Sequence, residues 1–318
     1  MRYKIILSIA LLFGIVAVIA SQFATPCIIG ADGYLHIRMA QFLRQLGPQY
    51  NFHWARYSTF AQNFADKDFL YHAFLIPFSF LRDIFLGAKL AACLAALFLY
   101  LVFFWALRRY CRSGLIPAFL ILFCLSPGFL RGIGEPRPLT FVLALTILFT
   151  HCLIVKNLSG LFVVTIIYSL THVSSPYLLL FALLAEAVRF AAEEEFAWRS
   201  VLCVGLGLLV GLFVHPSFPH NLRVFWINGV MVPVFSLKWG MELGAEFFPE
   251  STREVALGYP AMLAAVLVML ALSAAAARRG CLRASGWRWP VSSLPFPFSP
   301  GAICCTPIRW SYWPRRRI

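Results

Sequence analysis

Charge is scarce in this 318-residue chain, and negative charge is scarcest: 13 Asp and Glu stand against 27 Lys and Arg. With 61% hydrophobic and 13% charged residues, the composition lies outside the range of water-soluble globular proteins. The net charge of +14 would suggest nucleic acid in a soluble protein. Here Lys and Arg collect in short stretches beside apolar runs, as orientation signals do, so no nucleic-acid partner is expected. Metal-type cysteine spacing is missing as well. The nine Cys are scattered and read as small apolar residues. No acid follows Glu254, and the two halves of the chain show no internal repeat.

What is present is apolar sequence in long runs, near 5–22, 88–107, 114–130, 138–155, 160–171, 175–190, 198–214 and 259–277. These predict an all-α polytopic membrane protein with about eight transmembrane helices. A further apolar stretch, 69–86, is interrupted by His72, Pro77, Arg82 and Asp83 and is expected at the interface. With Arg2 and Lys4 inside, that arrangement also puts the basic run at 108–112, Lys156 and the 189–199 loop inside. The outer loops are then 23–87, 131–138, 171–177 and 215–258, which together hold six of the seven histidines. If the first run is instead a cleaved signal peptide, 23–87 still lies outside. Acids and imidazoles gathered on one membrane face mark where a site is expected, although outer loops are polar in any membrane protein.

The stretch ADGYLHIRMAQFL opens the first outer loop. From Tyr34 to Leu46, the apolar residues Leu35, Met39, Phe42, Leu43 and Leu46 recur at helical spacing, so an amphipathic surface helix is predicted. Asp32 precedes it at a cap-like position and Gly33 permits a tight turn. A capping role alone would account for that aspartate.

The order of acid, aromatic, His and Arg after a first span resembles the GT-C class of membrane glycosyltransferases. That class includes oligosaccharyltransferase catalytic subunits, protein O-mannosyltransferases and lipid A aminoarabinose transferases. The residues that carry the resemblance are Asp32-Gly33-Tyr34-Leu35-His36-Ile37-Arg38, then RGIGEPRP at 131–138 with Glu135, and the THVSSPY turn. They cover roughly residues 1–215. The resemblance implies transfer of a sugar from a polyprenyl-phosphate-linked donor in the bilayer to an acceptor on the outer face, and the positive-inside pattern points to a bacterial inner membrane or an equivalent. It implies catalytic roles for Asp32 and Glu135, the glutamate either joining Asp32 around Mg2+ or Mn2+ or orienting the acceptor without metal, and phosphate binding by Arg38, Arg131 and Arg137. His36, His72 and His172 would be supporting donors.

Two departures accompany it. Glu135 stands where Asp is commoner, and no large outer domain is visible. Asp66 and Asp68 read as a solvated turn before an interfacial helix, and Glu193, Glu194 and Glu195 as a solvated inner loop. The Asn157-Leu158-Ser159 sequon falls on the inner side and is set aside. Residues 1–277 thus form a transmembrane module. Residues 278–318 form a basic, aromatic tail, read either as a surface for anionic lipid or as out-of-frame sequence. Two other functions fit the composition: a transporter or flippase, or an inactive truncated scaffold of the same fold.

Overall fold

The computed structural model describes residues 2–58, 61, 64–193, 196–235, 251–260, 263, 266 and 267. The tail at 278–318, most of the run at 259–277, and Glu194 and Glu195 lie outside the described residues. All regular structure among the described residues is helical. In chain order the main helices are α1 (Arg2–Phe23), α2 (Asp32–Leu46), α3 (Phe69–Leu75), α4 (Ile84–Tyr110), α5 (Ile116–Cys124), α6 (Pro127–Gly134) and α7 (Leu139–Ile154). Then come α8 (Leu158–Thr171), α9 (Pro176–Glu193), α10 (Trp198–Val214) and α11 (His220–Trp226).

Two helices, α1 and α4, have the length and hydropathy of membrane spans. At 22 and 27 residues they extend about 33 and 40 Å, beyond the roughly 30 Å of a hydrocarbon core. One side of α1 carries Ile5, Ile6, Ile9, Leu12, Phe13, Val16 and Ile19, all exposed, as a lipid-facing surface requires. The eight spans expected from hydropathy are not reproduced. Two helices qualify, or three if α5 and α6, bent by 73° at their junction, count as one broken span.

The reason lies in breaks that an averaged hydropathy profile passes over. Pro127 restarts the chain at that bend. Lys156 at φ 54° and the capping Asn157 separate α7 from α8. The resulting helices of 14 to 17 residues, α7, α8 and α10, reach only about 21–26 Å. The 18-residue α9 carries Glu186, Arg189 and Glu193. Residues 69–86 form α3 and a 3-10 turn that stops at Phe80, and Asp83 then caps α4 through the amides of Phe85 and Leu86.

Tight contact between α1 and α4 anchors the site from below. A Cβ at Gly14 would lie 2.2 Å from the Tyr100 ring, whose hydroxyl donates to the Ala10 carbonyl at 2.9 Å. Gly14→Leu is therefore expected to push α1 off α4 and destabilise the protein by about 1–3 kcal/mol, read as a lowered unfolding midpoint in detergent. Around this contact α4, α5 and α6 build one apolar cluster, and α7 to α10 build a second. A third, between α2, α3 and α4, holds Ile37, Ala40, Tyr71, Leu75, Ala88 and Ala91. The face of α2 that packs inward is thus the one bearing His36, Ile37 and Ala40, while Leu35 and Leu46 are exposed. Asp32 is the first residue of α2 and makes no capping hydrogen bond. The capping reading is corrected accordingly.

Candidate active site

A cavity of about 600 Å³ lies between α2, the 64–68 loop, α3, the 137–139 segment, the turn after α8, and α11. Helical spacing explains the contribution of α2. Asp32, Leu35, His36 and Met39 stand at i, i+3, i+4 and i+7, and all four line the cavity. Opposite them stand Asp66, Lys67, Asp68, His72, Arg137 and His172.

The 64–68 loop is the main surprise. Asp66 and Asp68, expected in a solvated turn, are only 3% and 2% exposed. Long-range packing holds them there. Phe64 joins Tyr50, Phe52 and Met39 in an aromatic cluster under the loop. On the far side His215 donates from Nε2 to the Asp66 carbonyl at 2.9 Å, its Nδ1 being occupied by the Ser217 amide. Burial keeps the His215 imidazole neutral by lowering its pKa.

Inside the loop, one carboxylate is satisfied and the other is not. The Asp66 Oδ2 atom takes a 2.6 Å bond from His72 Nδ1, and Oδ1 accepts the Asp68 amide at 3.0 Å. Asp68 Oδ1 has no hydrogen-bond partner, with His172 Nε2 at 4.0 Å. Burial pushes the Asp68 carboxyl up to about 6, aided by the negative charges of Asp66 and Asp32 and opposed by Lys67 and His72. An unpaired, buried acid beside a cavity, with its pKa near the working range, is the signature of a group kept for chemistry.

Burial drives the His36 imidazole down to about 2, with nearby Lys67 adding to the effect. His172 falls to about 4, through burial and then Lys67. The Ser174 amide donates to His172 Nδ1 at 3.1 Å, so the ring proton sits on Nε2 and points toward Asp68.

The remaining expected residues are placed as follows. Arg137 lines the cavity and pairs through Nε with Glu135 at 3.1 Å. Glu135 itself is not among the lining residues. It packs against Gly30, where a Cβ would meet its Cδ at 2.8 Å and where φ is +75°. Pro136 presses likewise on Gly33. The two acidic stretches, about a hundred residues apart, are therefore in contact, with Glu135 backing the arginine. Arg38 is exposed, off the lining face of α2, and donates to Gln41 at 2.6 Å. Arg131 is exposed on α6. Asp32 and Glu135 do not converge on one cavity wall, and among the described residues no three His, Cys, Asp or Glu side chains are grouped to hold a metal.

Sequence reasoning passed over Lys67, Met39, Asn228 and the His215 clamp. Only the clamp had a local signal, the HPSFPH stretch. The cavity lining carries both hydrogen-bond acceptors, at Asp32, Asp68 and His36, and cations, at Lys67 and Arg137. Such a site can hold an anion and, beside it, a group that gives up protons. Comparison of the chain with protein-family models, curated proteins and solved structures finds no match.

Proposed function

We propose that this protein is a membrane glycosyltransferase that moves a sugar from a polyprenyl-phosphate-linked donor to an acceptor at the outer face of a bacterial inner membrane. One observation carries the reading: in a chain with two helices of span length, a single cavity is lined by a buried unpaired acid, Asp68, and two cations, Lys67 and Arg137. The lipid tail of the donor stays in the bilayer while its phosphate meets the two cations, Arg137 being steadied by Glu135. Asp68 takes the proton of the attacking acceptor as the bond between the sugar and the phosphate breaks. The phosphate leaves with the bonding electrons, and its growing charge faces Lys67 and Arg137. Asp32, across the cavity, orients the sugar or acceptor.

The test is transfer of radiolabel from a polyprenyl-phosphate-linked sugar by the protein in liposomes. Labelled product is expected, with Arg137→Gln and Lys67→Gln each raising the donor KM about tenfold. A second reading, a flippase, draws on the buried chain of Asp66, His72 and His36, since ionisable chains also serve carriers. Donor that crosses the bilayer with its sugar intact would establish that reading, and absence of both activities would leave the scaffold.

A further inference from the structure

Three side chains form one hydrogen-bonded line into the cavity. Asp66 Oδ2 lies 2.6 Å from His72 Nδ1, and His72 Nε2 lies 2.8 Å from His36 Nδ1. The carboxylate can only accept, so the His72 proton is on Nδ1. In the neutral His72 ring Nε2 is bare and can only accept, so the His36 proton is on Nδ1 too. His36 Nε2 is left without a proton, and among the described residues it has no partner. His36 lines the cavity, packed edge-on against the Tyr71 ring at 5.4 Å. Both rings are in the tautomer that a free imidazole favours less, and a single carboxylate selects it for both.

We infer that Asp66, acting through His72, locks His36 so that its bare Nε2 is presented to the cavity as the acceptor for a ligand hydroxyl. The inference rests on the transferase reading and deepens it by specifying a hydroxyl, a neutral donor, in the cavity that the two cations also line. A positively charged amine would be disfavoured there by Lys67 and Arg137. The hydroxyl held at His36 Nε2 is one of the bound sugar and keeps its proton, the attacking hydroxyl giving its own to Asp68. No imidazolium forms, which suits rings as buried as His36 and His72. Asp66 and His72 are positioning residues in this line.

The decisive experiment is ring-nitrogen NMR of the full-length, ¹⁵N-histidine-labelled protein in lipid at pH 7. His36→Gln and His72→Gln difference spectra supply the assignments. Both rings are expected protonated at Nδ1 and bare at Nε2. Asp66→Ala is expected to flip His72 and, through it, His36 to the Nε2–H form, a change that a merely space-filling aspartate would not cause. A wild-type His36 that carries its proton on Nε2 overturns the proposal, as does an unmoved His36 in folded Asp66→Ala. If that variant does not fold, diethyl pyrocarbonate labelling of wild type decides: His36 is modified and His72, with both nitrogens engaged, is not. The reverse pattern overturns the proposal. Correct tautomers without sugar transfer would sink the transferase reading and leave the lock standing. Wrong tautomers would sink the lock whatever the activity.

Discussion

Asp68→Asn is expected to abolish most turnover, by about 10²–10⁴-fold, and to make the protein more stable above neutral pH. The activity loss follows from removing the only carboxylate oxygen that faces the cavity buried and unpartnered among the described residues. The gain in stability follows from linkage. Burial raises the Asp68 pKa from 3.8 to about 6, so the fold holds that proton more tightly than the unfolded chain does. Its stabilising contribution is full below the unfolded pKa and disappears as pH rises through about 6. Above that, wild type bears a buried anion that Asn lacks, a difference on the order of 2–3 kcal/mol. Unfolding midpoints at pH 5 and pH 8 check the sign: the advantage of the variant should grow at the higher pH. The same pKa places the acid limb of the wild-type rate profile near pH 6. Turnover within about threefold of wild type would remove Asp68 from the chemistry, since an acid–base group contributes at least about a hundredfold.

Breaking the buried ion pair of α9 should cost stability alone. Glu186 is fully buried and accepts from Arg189 at 2.7 and 2.8 Å and from the Ala197 amide at 3.2 Å. Arg189 also donates to the Leu153 carbonyl at 3.2 Å. The pair therefore ties α9 to the end of α7 and to the turn into α10. Glu186→Ala leaves the Arg189 charge without its partner in a confined space and is expected to cost about 3–5 kcal/mol. Glu186→Leu combined with Arg189→Met should recover most of it, because the penalty comes from the orphaned charge more than from the lost attraction. Unfolding midpoints in detergent measure both. A single variant as destabilised as the double one would contradict the account.

Much of the site could be read from sequence where its geometry is local. Asp32 and His36 are four residues apart, so any helix there puts them on one face, and Arg38, two residues on from His36, falls elsewhere. His72, Arg137 and His172 also line the cavity, each lying beside an apolar run at a helix end. Asp66 and Asp68 could not be read this way. Nothing in FADKDF distinguishes a solvated turn from a buried one, because the burial comes from Phe64 over Tyr50 and Phe52 and from His215. The span count failed for a related reason. Apolar composition records what a segment dissolves in, whereas Pro127 and Asn157 mark where one helix ends and the next begins.

The bond from His215 to the Asp66 carbonyl spans 149 residues of chain. On a ribosome adding about 5–20 residues each second, the aspartate loop waits roughly 7–30 s for its clamp. Through that interval α2 and α3 can already meet, but two carboxylates of the cavity remain wet and ordinary. The aspartate loop therefore reaches its buried state only once the end of α10 has been made and can close over it.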